Sequence, residues 1–305
     1  YKIVLERILN MINDLIENEY DREFLSSLIT IKYEDEINTG LLIPSRLEKR
    51  LYKIFLSRTH IENPYSINMR GANRKAKKFL ESETFKKALN RVNDSLGDID
   101  ALSLSELREK IKAIEFKRRV ALLAHSRIWA SENPKIPTMD KINQMFHIPI
   151  SGDGMPPLLE LIQKKRQKIL WLLDESGEAM MDLAIGKFLT ELGHTVIFAV
   201  KENPFFTKVC LADTKTDPAL SGEFENAHFI YDKTISKNSL VTLLTHEKNL
   251  YVLSDGTRED LNLLLASTTF SRIFKEVDCV ISRGAMQKEK LIDSHFRFTQ
   301  DIINI

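Results

Sequence analysis

The sequence predicts an α/β protein in which an N-terminal helical subdomain precedes a doubly wound, mostly parallel sheet. In the first part of the chain the apolar residues recur at helical spacing, as Leu107, Ile111 and Ile114 do. In the second part, short apolar runs alternate with helix-like segments, which is typical of strands buried on both faces of a parallel sheet. The change of period indicates two structural units.

Prolines and glycines mark the boundary between these units. They are densest after residue 131, where the chain contains Pro134, Pro137, Pro149, Gly152, Gly154, Pro156 and Pro157. Because these residues interrupt helices and strands, we expect a linker there. The predicted domains are a helical subdomain over residues 1–131, a linker over 132–157 and an α/β domain over 158–305.

Local signals place individual elements within the two domains. Ser103 is followed three residues later by Glu106, the spacing of a capping box, which predicts the start of a helix. The predicted strands are the five short apolar runs at residues 168–173, 195–200, 228–231, 249–253 and 279–282.

The composition excludes several classes of protein. The 44 Lys and Arg residues nearly balance 43 Asp and Glu residues, so we expect neither nucleic acid nor a membrane as a partner. Two cysteines without paired spacing indicate a reducing, cytoplasmic location. Because the chain starts at Tyr1 and stops at Ile305, we expect it to be part of a longer polypeptide, whose other domains are candidate partners.

Carboxylates follow the first predicted strand directly. Asp174, Glu175 and Glu178 surround a glycine, and a helix-like segment that contains Asp182 follows. Ligands of open α/β sheets bind at the carboxyl ends of the strands, so this is the first candidate site. The alternative is that the acids only cap the following helix, whose N-terminus favours negative charge. Asp182 is expected to lie on the helix surface or to cap the helix.

The segment Asp174–Asp182 resembles the signature D-N-x-G-E-x-x-x-D of the metal-dependent damage-control phosphatases, which include the acidic-residue-methyltransferase-like proteins. Further matches occur in the right order. Asn63-Pro64-Tyr65 with Asn73 resembles a D-P-Y element and its downstream asparagine, and residues 277–284 resemble an A-D-x-V-I-x-K-G loop. The resemblance implies a helical subdomain joined to a Rossmann-like α/β domain, with a further strand and helix beyond Ile305.

The resemblance also implies a chemistry. Asp174 and Glu175 match the catalytic pair that holds a divalent metal, where the family has Asp and Asn, and oxygen ligands suit Mg or Mn. Arg283, Gly284 and Asn73 match positions that face the phosphate. The implied substrate is a small phosphorylated metabolite, whose hydrolysis requires positive charge on the phosphate oxygens.

This chain departs from the family at functional positions. The third metal ligand, an aspartate in the family, aligns with Lys208, and Asp213 is the substitute ligand if the alignment shifts. We hypothesise that Lys208 lies between Asp174 and Glu175 as a built-in cation that replaces the metal. A G-N-x-x-D element of the helical domain aligns with residues 125–129 and loses both its Asn and its Asp.

Two functions are consistent with this sequence. The first is a metal-dependent phosphatase with a degenerate metal site, and the second is a non-catalytic pseudophosphatase that acts as a binding or assembly domain. A dinucleotide-binding or sugar-nucleotide enzyme is disfavoured, because no G-x-G-x-x-G motif follows a predicted strand.

Overall fold

The structure, a computed structural model, describes residues 1–40, 43–89, 102–125, 128–129, 136–147, 155–245 and 248–305. Helices occupy the N-terminal half of the chain. They are α1 (Lys2–Leu15), α2 (Glu19–Asn38), α3 (Pro44–Thr59), α4 (Ser66–Leu80), α5 (Glu83–Leu89), α6 (Leu104–Ala124), α7 (Met139–His147) and α8 (Met155–Gln163). The predicted capping box is present, since Ser103 and Glu106 exchange hydrogen bonds at the start of α6.

Strands and helices alternate in the C-terminal half. They are β1 (Lys168–Leu172), α9 (Glu178–Glu191), β2 (Thr195–Val200), α10 (Asp213–Thr216), α11 (Pro218–Ser221), a short 3-10 helix (Gly222–Phe224), β3 (His228–Ile230), α12 (Lys237–Thr245), β4 (Leu250–Ser254), α13 (Thr268–Glu276), β5 (Cys279–Ser282), α14 (Ala285–Leu291) and β6 (Asp301–Asn304). In the described part of the chain, no helix combines the length and the apolar character that crossing a membrane requires.

The strands form one six-stranded sheet in the order β3-β4-β2-β1-β5-β6, and all neighbours are parallel. This confirms the predicted α/β class with its N-terminal helical region. The five predicted strands are present, and β6 is a strand that the sequence pattern did not indicate. The chain passes from β1 to β2 on one side, and β5 lies on the other, so the carboxyl end of β1 is at a topological switch point.

The two faces of β1 contribute to different hydrophobic cores. Successive side chains of a strand point to opposite faces. Ile169 and Trp171 pack in a core with residues of α4 to α9, whereas Leu170 and Leu172 pack with residues of α12 and α13. Helices therefore cover both faces of the sheet, which explains why its strands are apolar without alternation.

The predicted linker contains a packed helix. Residues 139–147 form α7, and its Ile142 and Met145 are buried in the core that includes one face of the sheet. Residues 132–135 and 148–154, which contain most of the prolines and glycines of the predicted linker, lie outside the described residues. The apolar spacing of Ile142 and Met145 thus outweighs the neighbouring helix-breaking residues.

The first three helices have a core of their own. Residues such as Ile8, Ile29 and Leu51 pack between α1, α2 and α3. This core also receives Phe205 and Phe206 from the loop that follows β2. The three-helix unit is thereby fastened to a loop at the carboxyl edge of the sheet.

Candidate functional site

The chain turns sharply where it leaves β1. Gly177 has a φ of +82°, and a Cβ atom there would lie 2.1 Å from the carbonyl oxygen of Trp129, so this turn requires glycine. The backbone N–H of Gly177 donates to Oδ1 of Asn73 at 2.5 Å, while Nδ2 of Asn73 donates to Asp217 at 2.8 Å. The turn fixes the positions of Asp174 and Glu175 at the end of the strand.

A second loop brings Lys208 against this turn. The N–H of Val209 donates to the carbonyl of Asp174 at 2.9 Å, so the loop after β2 runs beside the end of β1. The preceding residues, Phe205 and Phe206, are held by Tyr52 of α3, whose ring centroid lies 5.4 Å and 4.8 Å from theirs. The aromatic contacts anchor the loop, and Lys208 lies two residues after Phe206.

Lys208 lies among three carboxylates. Its Nζ donates to Asp174, lies 3.3 Å from Oε1 of Glu175 and lies 3.6 Å from Oδ1 of Asp260. The lysine side chain is only 8% exposed. Thr207 donates a further hydrogen bond to Glu175. The ammonium group therefore occupies the centre of the acidic cluster Asp174, Glu175 and Asp260.

The ammonium group of Lys208 and the neighbouring carboxylates stabilise each other in their charged forms. Burial alone would lower the pKa of Lys208, but the three carboxylates raise it above its usual value. Burial likewise would raise the pKa of Asp174, yet the charge and hydrogen bond of Lys208 hold it below its usual value. Lys208 and Asp174 are consequently both charged at neutral pH.

A second buried ion pair involves Arg283, which follows β5. Its Nη1 lies 2.5 Å from Oε2 of Glu178, and its Nη2 lies 3.2 Å from Oδ2 of Asp182. Asp182 is fully buried on α9. The expectation from the sequence, that it lies on the helix surface or caps the helix, is therefore wrong. Burial raises the pKa of Asp182 to about 7, despite the opposing charge of Arg283.

Comparison with known proteins assigns this arrangement to a family. Residues 2–305 match the family described as the damage-control phosphatase ARMT1-like domain. The chain belongs to this family. Its fold is similar to that of a DUF89 family protein from Pyrococcus horikoshii, with a TM-score of 0.70 and 17% sequence identity over 100% of this chain and 88% of the other. No curated protein matches the chain in sequence.

The family is metal-dependent in general, but the donors of this member do not fit a metal ion. Asp174 and Glu175 both face the ammonium of Lys208, which cannot act as a ligand while it is charged. The described residues contain no group of three or more His, Cys, Asp or Glu side chains arranged to hold a metal ion. The positive charge beside these carboxylates is the ammonium group of Lys208.

Asp213, the predicted substitute ligand, lies elsewhere. It begins α10, and its carboxylate accepts a hydrogen bond from the backbone N–H of Cys210 at 2.9 Å. The role of this side chain is to close the turn before the helix. The loop after β2 places Lys208 beside Asp174, which leaves Asp213 outside the acidic cluster.

The three residues predicted to face the phosphate each form ion pairs or hydrogen bonds with other groups of the protein. Arg283 is neutralised by Glu178 and Asp182, and its side chain is only 6% exposed. The N–H of Gly284 donates to the carbonyl of Ile305 at 3.0 Å. Asn73 is fully buried, with both ends of its amide hydrogen-bonded as described above.

Several charged residues that surround the site were not predicted to belong to it. A cavity beside Asp174 and Lys208 is also lined by Lys201, Asp255, Asp260 and Lys290. Lys201 donates to Asp255 at 2.6 Å, which forms another buried ion pair. The available signal was the position of Asp255 and Asp260 just after the fourth predicted strand, whose carboxyl end reaches the same edge of the sheet. In the aligned G-N-x-x-D element, Ser126 lies outside the described residues and Trp129 is fully buried.

Proposed function

We propose that this chain is a non-catalytic member of its family, which keeps the phosphatase fold as a binding or assembly domain. The observation that supports the proposal is the position of the Lys208 ammonium among Asp174, Glu175 and Asp260. This permanent cation of the chain pairs with the carboxylates that would otherwise attract a divalent ion, and it lies between them where such an ion would bind.

The surroundings of Arg283 support the same proposal. Phosphoryl transfer requires positive charge that is free to bind the phosphate oxygens. Here the guanidinium is buried against Glu178 and Asp182, so it has little charge to offer a ligand. With Lys208 and Arg283 both paired with carboxylates of the protein, neither is free to bind the oxygens of a phosphate ester.

The second candidate is a metal-dependent phosphatase that acts on small phosphorylated metabolites with Mg or Mn. Family membership favours it, as does the retention of carboxylates at the end of β1. Glu175 is 32% exposed, so part of the cluster is open to solvent. This function requires Lys208 to leave the cluster before a metal enters.

Calorimetric titration with Mn²⁺ and Mg²⁺ tests the two candidates. We expect no saturable binding by the wild-type chain and no metal-dependent release of phosphate from p-nitrophenyl phosphate or sugar phosphates. In Lys208→Asp, which converts the cation into a potential ligand, we expect saturable Mn²⁺ binding that disappears in Lys208→Asp/Asp174→Ala. Circular dichroism checks that each variant is folded.

One result would overturn the proposal. It is saturable Mn²⁺ or Mg²⁺ binding by the wild-type chain, lost in Asp174→Ala and accompanied by hydrolysis of a phosphate ester. In that case the chain is an enzyme, and Lys208 moves away from Asp174 when the metal binds.

A further inference from the structure

A groove runs between α2 and α3 on the side of the three-helix unit that faces solvent. Leu28 of α2 and Ile54 of α3 are half-buried and form its apolar floor. Ile54 also packs against the core of the three-helix unit, which fixes the floor in place. The groove has a volume of about 580 Å³ and lies apart from the acidic cluster around Lys208.

Basic side chains from both helices line this groove. They are Lys32, Arg50, Lys53 and Arg58, and Glu36 is the single acid among the lining residues of the groove. Lys32 pairs with Asp35 at 3.0 Å, and Arg50 pairs with Glu36. Lys53 and Arg58 have no carboxylate within ion-pair distance in the described part of the chain. The rim is therefore locally positive, although the whole chain has a net charge of only +1.

Exposed apolar residues of α2 lie on the turns next to Leu28. Phe24 is 51% exposed and Ile31 is 62% exposed. They lie four residues before and three residues after Leu28, so all three are neighbours on one face of the helix. Leu25 and Ile29 are the residues that α2 contributes to the buried core of the three-helix unit. Helix α2 thus carries more apolar surface than its own core uses.

We propose that this groove binds an acidic amphipathic helix of a partner protein. The apolar floor fits side chains that recur at i, i+3 or i+4, and i+7 on such a helix, and the positive rim fits flanking Glu or Asp residues. A bare polyanion would leave the apolar floor uncovered. Along α2 the lining residues run from Leu28 to Glu36, about 12 Å, which is enough for about two helical turns of a ligand.

The inference rests on the proposed function, because it names the class of partner that the binding domain takes. It uses residues of α2 and α3 and none from the acidic cluster at the end of β1. The two proposals can therefore fail separately. Metal-dependent hydrolysis would overturn the first, whereas the peptide experiment described next decides the second.

Fluorescence anisotropy with synthetic peptides tests the groove. The probe is a labelled helix-forming peptide of about 18 residues, long enough to be partly helical, with Leu at i, i+3, i+4 and i+7 spacing and Glu on both flanks. A control peptide carries Lys in place of each Glu. The groove variants are Lys53→Glu/Arg58→Glu and Phe24→Ser, in which only solvent-exposed side chains change.

A matched variant controls for net charge. Lys110→Glu/Lys117→Glu changes two exposed residues of α6 and alters the net charge by the same amount as the double groove variant. We expect saturable binding of the acidic peptide by the wild type, at least about tenfold weaker binding by each groove variant, and no more than about a twofold change in the control.

Three results would overturn the inference. The first is no saturable binding of the acidic peptide by the wild type. The second is equal binding of the basic peptide, or equal loss in the groove and control double variants, since either result means that the contact is not specific to this groove. The third is tighter binding of a single-stranded oligonucleotide with the same dependence on Lys53 and Arg58, which would identify a surface for nucleic acid.

Discussion

Replacing Lys208 by methionine should strongly destabilise the protein at neutral pH. Methionine keeps most of the side-chain volume but removes the charge, so Asp174, Glu175 and Asp260 remain close together without a cation. Removing one partner of a buried ion pair typically costs about 3–5 kcal/mol. Because Asp174 and Glu175 are 19% and 32% exposed and keep some hydration, we expect the lower end, about 3 kcal/mol.

The loss should depend on pH in a defined direction. In the wild type the pKa of Asp174 is held low, so its contribution to stability is present above its unfolded pKa and is lost as the pH falls through the folded pKa. Without Lys208, burial dominates and raises the pKa of Asp174, so the stability of the variant falls as the pH rises above about 4. The difference between the two proteins should therefore grow from about pH 4 to pH 7.

Thermal and urea unfolding at several pH values measure this difference. A loss of about 3 kcal/mol lowers the melting temperature by about 6 °C for a chain of this length. The control is Lys187→Met, which removes a more exposed ion pair with Glu223 and should cost about 1 kcal/mol or less. A loss in Lys208→Met that is no larger than in the control, or that is the same at pH 4 and pH 7, would refute the reasoning.

Three further predictions concern the supports of the site. Phe205→Ala should lower the free energy of unfolding in urea by about 3–5 kcal/mol, because it empties a fully buried position in the core of the three-helix unit; a loss below about 1 kcal/mol would contradict this packing. Gly177→Ala should cost about 2–3 kcal/mol, since its Cβ would meet the Trp129 carbonyl at 2.1 Å, whereas the control Gly71→Ala, in α4 with open space around it, should stabilise by about 0.5–1 kcal/mol. The side-chain carboxyl carbon of Asp182 should titrate by NMR with a midpoint near 7, because burial raises its pKa to about 7, whereas a midpoint near 4 would contradict a dominant effect of burial.

The prediction of five strands was confirmed, because the strands of a parallel sheet that is covered by helices are apolar on both faces. The run at residues 168–173 needs no knowledge of its neighbours to be recognised, and neither do the runs that became β2 and β5. Strand β6 was missed because it is short and at an edge of the sheet, with Asp301 exposed. Helix α7 was missed because prolines and glycines on both sides concealed its apolar spacing.

The candidate site was predicted only in its local parts. Short segments of sequence were enough to identify Asp174 and Glu175 after the first strand. The resemblance to the family identified Lys208 at a position where the family has an aspartate. Asp260 could not be linked to Lys208 in this way, because its position depends on β4 lying next to β2 in the sheet. The role of Asn73 was likewise hidden, since it holds a turn 104 residues further along the chain.

By itself the sequence determined the α/β class, five of the six described strands and the position of the acids at the end of β1. These depend on side-chain periodicity and on residues that are close in sequence, so they can be predicted without knowledge of distant contacts. Only the tertiary structure decided which buried charged side chains pair with one another. Lys208 lies among three carboxylates, and Arg283 lies against Glu178 and Asp182. A buried charge requires a partner of opposite charge, and the order of the strands in the sheet brings these partners together from distant parts of the chain.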